Sequence, residues 1–313
     1  MSVKIAEDAL DAIGNTSLVQ LKKVVPQDHG RVLVKLEWEN PTGSMKDRMA
    51  QAMIEKAEED GRLGPGSTVV EYTGGSTGTS LAFICAIKGY RFRVVSSDAF
   101  SQEKLDHMRA LGAEVTIIPS EGLGIRKELI EKMIEAAREL SDEPGTYWTN
   151  QLYNKDNVSG YLQLGEEIWE QTNGLVDAFV HVAGTAGSII GTSRTLRERN
   201  SRVRIVAVEP DESPVLSGGE SGSHDIEGIG IGFLPPLWDS SLVDEIVRIP
   251  TKEAKEMARR LAREEGLCAG TSSGANVAAA IRIAKRLGPG ATVVTLLVDS
   301  GVKYLSTDLY KSS

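Results

Sequence analysis

The chain has 313 residues, 41% hydrophobic and 25% charged, with a formal net charge of −9. That length exceeds one small core and fits one large α/β unit or two closely joined ones. An acidic chain without a basic cluster argues against nucleic acid and anionic membrane surfaces, and no apolar run approaches the ~20 residues of a membrane span.

The first half alternates strand, glycine-rich turn and helix. Residues 31–37 read as a strand. Residues 47–60 read as a helix, because Met49, Met53, Ile54 and Ala57 fall at helical spacing and Gly61 stops it. Residues 68–72 form a short buried strand, 77–88 an apolar helix closed by Gly89, and 92–96 the next strand. Ser101 is expected to cap a helix to Leu111, with Gly112 after it. A strand at 114–118 and a helix at 125–140 complete this half.

The second half repeats the pattern. A helix spans about 158–171. A strand at 178–182 runs into Gly184-Thr185-Ala186-Gly187-Ser188 and then a helix. Residues 203–208 form a strand, Thr251 caps a helix to Glu265, 274–287 is a further helix, and 292–298 a final strand. Such alternation implies mostly parallel sheets covered on both faces, with ligands beyond the carboxyl ends of the strands.

Cys85 and Cys268 each lie in an apolar stretch and far apart in sequence. Both are expected to be buried small hydrophobes, with no disulfide and no metal spacing. A reducing, cytoplasmic compartment follows. The first eleven residues carry acids and no apolar core of a secretion leader.

Several segments carry chemistry. In Asn40-Pro41-Thr42-Gly43-Ser44-Met45-Lys46-Asp47-Arg48 a helix starts near Lys46. The positive potential of a helix N-terminus disfavours the protonated amine, and a lysine of lowered pKa suits Schiff-base chemistry. The plain alternative is a solvated lysine in an ordinary first turn. Thr73-Gly74-Gly75-Ser76-Thr77-Gly78 exposes backbone N–H groups ahead of a helix, an anion site for phosphate or carboxylate, or else only a flexible turn. Gly184-Thr185-Ala186-Gly187-Ser188 is a second such candidate, and it lacks the GxGxxG of dinucleotide sites. Ala269-Gly270-Thr271-Ser272-Ser273-Gly274-Ala275 opens another helix, where Ser272 or Ser273 also suits a capping role. Asp299-Ser300-Gly301 follows the last strand.

The order and spacing of these segments, with Ile13-Gly14-Asn15-Thr16, Glu209-Pro210 and Gly228-Ile229-Gly230-Ile231-Gly232-Phe233, resemble the cysteine synthase and cystathionine β-synthase family of fold-type II pyridoxal-phosphate (PLP) enzymes, nearly end to end. The resemblance implies an α/β fold of two three-layer α/β/α domains like the β chain of tryptophan synthase. Residues 40–150 would form a smaller, mobile domain, and 1–39 with 151–313 a larger one. It implies that Lys46 carries the cofactor as a Schiff base and is catalytic. Gly184, Thr185, Ala186, Gly187 and Ser188 would hold the phosphate, Ser272 would face the pyridine nitrogen, and Ser76 would touch the ring hydroxyl. Thr73, Gly74, Gly75, Thr77, Asn150 and Gly228 would bind the substrate. No metal and a homodimer are further implications.

The loop departs from the family's Thr-Ser-Gly-Asn-Thr-Gly at Gly74 and Ser76, and Tyr72 precedes it in place of proline. The implied activity is β-replacement on an O-activated L-serine, chiefly cysteine synthesis from O-acetylserine and sulfide. Another nucleophile, as in cystathionine or 2,3-diaminopropionate synthesis, or plain β-elimination, is the alternative. A nucleotide-binding oxidoreductase is disfavoured by the missing GxGxxG, and a catalytically silent relative by the retained Lys46.

Overall fold

The structure, a computed structural model, describes residues 5–311. Strands β1 (Leu18–Gln20) and β2 (Arg31–Leu36) come first. Strands β3 (Thr68–Tyr72), β4 (Arg91–Ser97), β5 (Glu114–Ile118) and β6 (Thr146–Trp148) follow. Strands β7 (Ala178–Val182), β8 (Arg204–Pro210), β9 (Glu245–Ile249) and β10 (Thr292–Leu297) come last.

They make two sheets. A six-stranded sheet has the order β1-β2-β10-β7-β8-β9, and a four-stranded sheet the order β5-β4-β3-β6. Every pairing is parallel except β1 with β2. Strands β7 and β10 are buried at every residue. That is why they read as mostly apolar runs rather than as strict alternation, although β7 includes His181 and β10 includes Thr292 and Thr295.

The helices are α1 (Lys46–Glu59), α2 (Ser76–Lys88), α3 (Gln102–Ala110), α4 (Lys127–Ser141), α5 (Asp156–Ser159), α6 (Leu162–Gln171), α7 (Gly187–Arg199), α8 (Thr251–Arg260) and α9 (Thr271–Leu287). Apolar side chains from both sheets and from α1, α2, α7 and α9 merge into one core. The chain leaves β2 toward Lys46, β3 toward α2, β7 toward α7 and β10 toward Asp299, so four carboxyl strand ends feed one region. Short antiparallel bridges, Ser44 with Asp299 and Ala269 with Ser300, tie these exits together.

The structure departs from the sequence reading in several places. The helix expected over about 158–171 is two helices, α5 and α6, parted at Gly160 and Tyr161. A Cβ on Gly160 would lie 2.7 Å from the Arg48 carbonyl oxygen, so the glycine lets α1 pack against this corner. Ser101 occupies the N-cap of α3, but its hydroxyl makes no capping bond and is buried without a partner. Thr251 begins α8 rather than capping it, and its hydroxyl accepts from Asp225 N–H. The chain beyond Arg260 winds as a π-helical turn, Leu261–Glu265. Helix α9 starts at Thr271, three residues early, so Ser272 and Ser273 lie inside its first turn and neither caps it. Strands β1, β6 and β9 had no sequence reading, and all are short. Cys85 is buried as expected, but Cys268 is exposed.

Candidate active site

The stretch before α1 is held on both sides. Asp47 accepts from Thr42 N–H at 2.8 Å and from the Thr42 hydroxyl at 2.6 Å. Met45 N–H donates to the Val298 carbonyl at 3.0 Å, and Ser300 N–H to the Gly43 carbonyl at 3.1 Å. These bonds fix the helix start and aim Lys46 into the cleft between the sheets. Arg48, two residues on, forks onto Glu37 (2.8 and 2.9 Å) and Glu167 (2.7 and 2.9 Å), both buried. Lys35 also pairs with Glu167 at 2.7 Å. Thus α1 is locked to β2 and α6 by a buried charge cluster.

Burial lowers the pKa of Lys46 to about 8; Asp299 opposes this, while Lys104 and Lys303 reinforce it. The cause expected from sequence was the helix N-terminus, whereas the main one is desolvation.

Lys46 opens onto a cleft of about 1020 Å³, its open mouth included. Thr73, Gly74, Gly75, Ser76 and Thr77 line one wall; Gly184, Thr185, Ser188, Gly228 and Ser272 line the opposite side. The cleft therefore gathers most of the residues singled out in the sequence. Ala186, in the left-handed region at φ 68°, and Gly187 shape the turn into α7 without lining the cleft.

Asn150 does not line the cleft either; its neighbour Gln151 does. Asn150 adopts φ 46°, and Gln151 N–H donates to Glu71 at 2.9 Å, which turns Gln151 inward. Gln151 Nε2 donates to the Tyr72 carbonyl at 2.8 Å, so its Oε1 must accept the Thr77 hydroxyl proton at 2.9 Å. Thr77 therefore has no hydroxyl proton left for a substrate carboxylate. The donors at this wall are the unpaired backbone N–H groups of the first turn of α2.

The loop's unusual glycine has a packing reason. A Cβ on Gly74 would lie 2.7 Å from Phe100 Cε1, so Phe100 occupies the place of a serine side chain. Ser76 donates to Asp299 Oδ2 at 3.3 Å, and Tyr304 donates to the same oxygen at 2.8 Å. Lys104 Nζ reaches Tyr304 Oη at 3.0 Å and Glu227 Oε2 at 2.5 Å. This charged chain across the cleft was missed from sequence, where 123 residues separate Lys104 from Glu227. Also missed was His181, the polar residue inside β7, whose Nε2 lies 2.9 Å from Ser188 Oγ.

A family model described as pyridoxal-phosphate dependent enzyme matches residues 9–299. The chain belongs to the pyridoxal-phosphate dependent enzyme family. It is 43% identical over 312 residues to a cysteine synthase of Staphylococcus aureus, covering 99% of each chain. Among solved structures it resembles a cysteine synthase of Entamoeba histolytica at TM-score 0.91 and 37% identity, covering 100% of this chain and 93% of that one. An O-acetylserine dependent cystathionine β-synthase of Helicobacter pylori matches at TM-score 0.91 and 36% identity, covering 99% and 100%.

The residues present fit the family's cofactor. A half-buried amine of lowered pKa faces the cleft. The N-terminus of the 13-residue helix α7 opens with a glycine turn bearing the Thr185 and Ser188 hydroxyls, donors suited to a phosphate. Ser272, 3% exposed in the first turn of α9, is a neutral hydroxyl on the same cleft. No helix among the described residues is long and apolar enough to cross a membrane.

Proposed function

We propose that this chain makes L-cysteine by β-replacement, with sulfide displacing acetate from O-acetyl-L-serine. The observation that carries this reading is the half-buried Lys46 amine of lowered pKa, set across one cleft from two helix N-termini suited to a phosphate and a carboxylate. The end-to-end likeness to cysteine synthases supports the choice of substrate.

When bound, PLP supplies a carbon for Schiff-base linkage and an electron sink for the bonds at the substrate Cα. In this reading Lys46 holds the cofactor, and its amine, largely neutral above pH 8, takes the Cα proton once the substrate amine displaces it. Gly184, Thr185 and Ser188, which line the cleft around the N-terminus of α7, bind the phosphate. The first-turn N–H groups of α2 receive the substrate carboxylate, and Gln151 keeps the preceding loop in place through Tyr72 and Thr77. Ser272 offers the ring nitrogen a hydroxyl rather than a carboxylate. A neutral partner there would not favour ring protonation, which would suit loss of a β-substituent over transamination.

Residues 40–150 carry the whole four-stranded sheet and the 73–78 wall, so they form the smaller domain in this reading, closing on the carboxylate. A cytoplasmic homodimer completes the proposal; sedimentation as a single-chain particle at micromolar concentration would remove the dimer.

The test is product analysis with O-acetyl-L-serine, with and without sulfide. The proposal expects acetate and cysteine in equal amounts when sulfide is present. Pyruvate and ammonia at the same rate in both conditions would make the chain an eliminating enzyme.

A further inference from the structure

His181 is a buried imidazole at the edge of the cleft to which the reaction above gives no task; it is 1% exposed. Its Nε2 lies 2.9 Å from Ser188 Oγ and its Nδ1 lies 3.2 Å from Asn276 Nδ2.

The hydrogen-bond network decides where the imidazole proton sits. Asn276 Oδ1 accepts from Val182 N–H at 2.8 Å, and Asn276 Nδ2 donates to the Leu296 carbonyl at 2.9 Å. A backbone N–H can only donate and a carbonyl can only accept, so the amide cannot be flipped. Its second Nδ2 proton therefore points at His181 Nδ1, which must accept. The ring proton is on Nε2 and is donated to Ser188 Oγ. Ser188, already accepting there, keeps its own proton free for another partner. Asn276 bridges β7 and β10 just past their paired stretch, which ends at Phe179 and Val294.

We propose that His181 is a positioning residue: as the neutral Nε2–H tautomer held by Asn276, it turns the Ser188 hydroxyl outward as a donor to the cofactor phosphate. Burial, with Lys46 nearby, pushes the His181 pKa down to about 3, so the ring stays neutral. A cationic ring would also bring an Nδ1–H against the Asn276 amide proton. The inference rests on the reading that the 184–188 loop holds the phosphate.

The experiment uses the cofactor-loaded protein. Histidine ¹⁵N shifts report the tautomer of each of the four histidines, and His181→Gln identifies the resonances of His181. The expected pattern is an Nε2–H tautomer that does not titrate near the ordinary pKa of about 6.5. An Nδ1–H tautomer or a titrating ring overturns the proposal, whatever the variants do.

Cofactor affinity and the bound ³¹P resonance are then measured for His181→Leu, His181→Gln, Ser188→Ala and the His181→Leu/Ser188→Ala double. Losing one hydrogen bond to a charged group corresponds to roughly tenfold weaker cofactor binding. Ser188→Ala and His181→Leu should each show about that loss, the double no more than either, and His181→Gln, whose amide still donates to Ser188, should recover most of it. Multiplying losses in the double variant would show that His181 acts independently of Ser188. Ser188→Ala with unchanged affinity and ³¹P shift would instead overturn the phosphate-loop reading itself.

Discussion

Arg48→Met should unfold the protein far more readily than its position outside the cleft suggests. The guanidinium forks onto two carboxylates, Glu37 at 0% and Glu167 at 6% exposure. After the substitution Glu167 keeps Lys35 at 2.7 Å, but Glu37 keeps only the neutral donors Thr16 (2.7 Å) and Asn40 (3.1 Å). Glu37 then becomes a buried, unpaired charge, and breaking such a pair costs about 3–5 kcal/mol. That is a large share of a typical domain stability of about 5–15 kcal/mol. Arg48→Met/Glu37→Gln removes both charges and should recover part of the loss. The assay is urea unfolding of the cofactor-loaded protein by tryptophan fluorescence.

Acid should act on the same cluster. Arg48 and Lys35 hold Glu167 down at about 2 against the cost of its burial. Its contribution is therefore full above the unfolded carboxylate pKa of about 4.3 and fades as pH falls toward 2. A loss below about 1 kcal/mol in Arg48→Met, or a double variant no better than the single, would refute this account of how α1 is anchored.

Gly74→Ser, which restores the family's residue, should raise KM for the amino-acid substrate and lower stability by about 1–3 kcal/mol through overpacking against Phe100. Adding Phe100→Ala should relieve both effects, and an unperturbed Gly74→Ser would contradict the packing argument. The rate at which cofactor-free protein recaptures PLP should rise with a midpoint near pH 8, following the Lys46 amine, rather than above pH 10. Asp299→Asn removes the nearby negative charge that raises this pKa, so the midpoint should move lower; an upward shift would show that Asp299 does not act on Lys46 electrostatically.

Much of the molecule was legible from residue order. Mostly apolar runs marked β7 and β10 because a strand buried on both faces has few polar positions. Glycine turns between strand and helix marked two walls of the cleft, and the 40–48 run marked Lys46. These are local signals, carried by neighbours in the chain.

What stayed hidden depends on contacts between distant segments. Whether Asn150 or Gln151 faces the cleft turns on a left-handed residue and a bond to Glu71. The break at Gly160 reflects the passing backbone of α1, which no helical periodicity records. Gly74 reads only as a departure from the family pattern until Phe100 is seen filling its space. The pairing of Lys104 with Glu227 requires α3 and the 228 loop to meet. His181 went unread in the sequence, inside a strand taken as apolar, and its proton position follows only from Asn276, 95 residues later. Secondary structure and candidate chemistry follow from local pattern. Which side chain faces the site, and in which charge state, is set by burial and by partners that only the folded chain brings within reach.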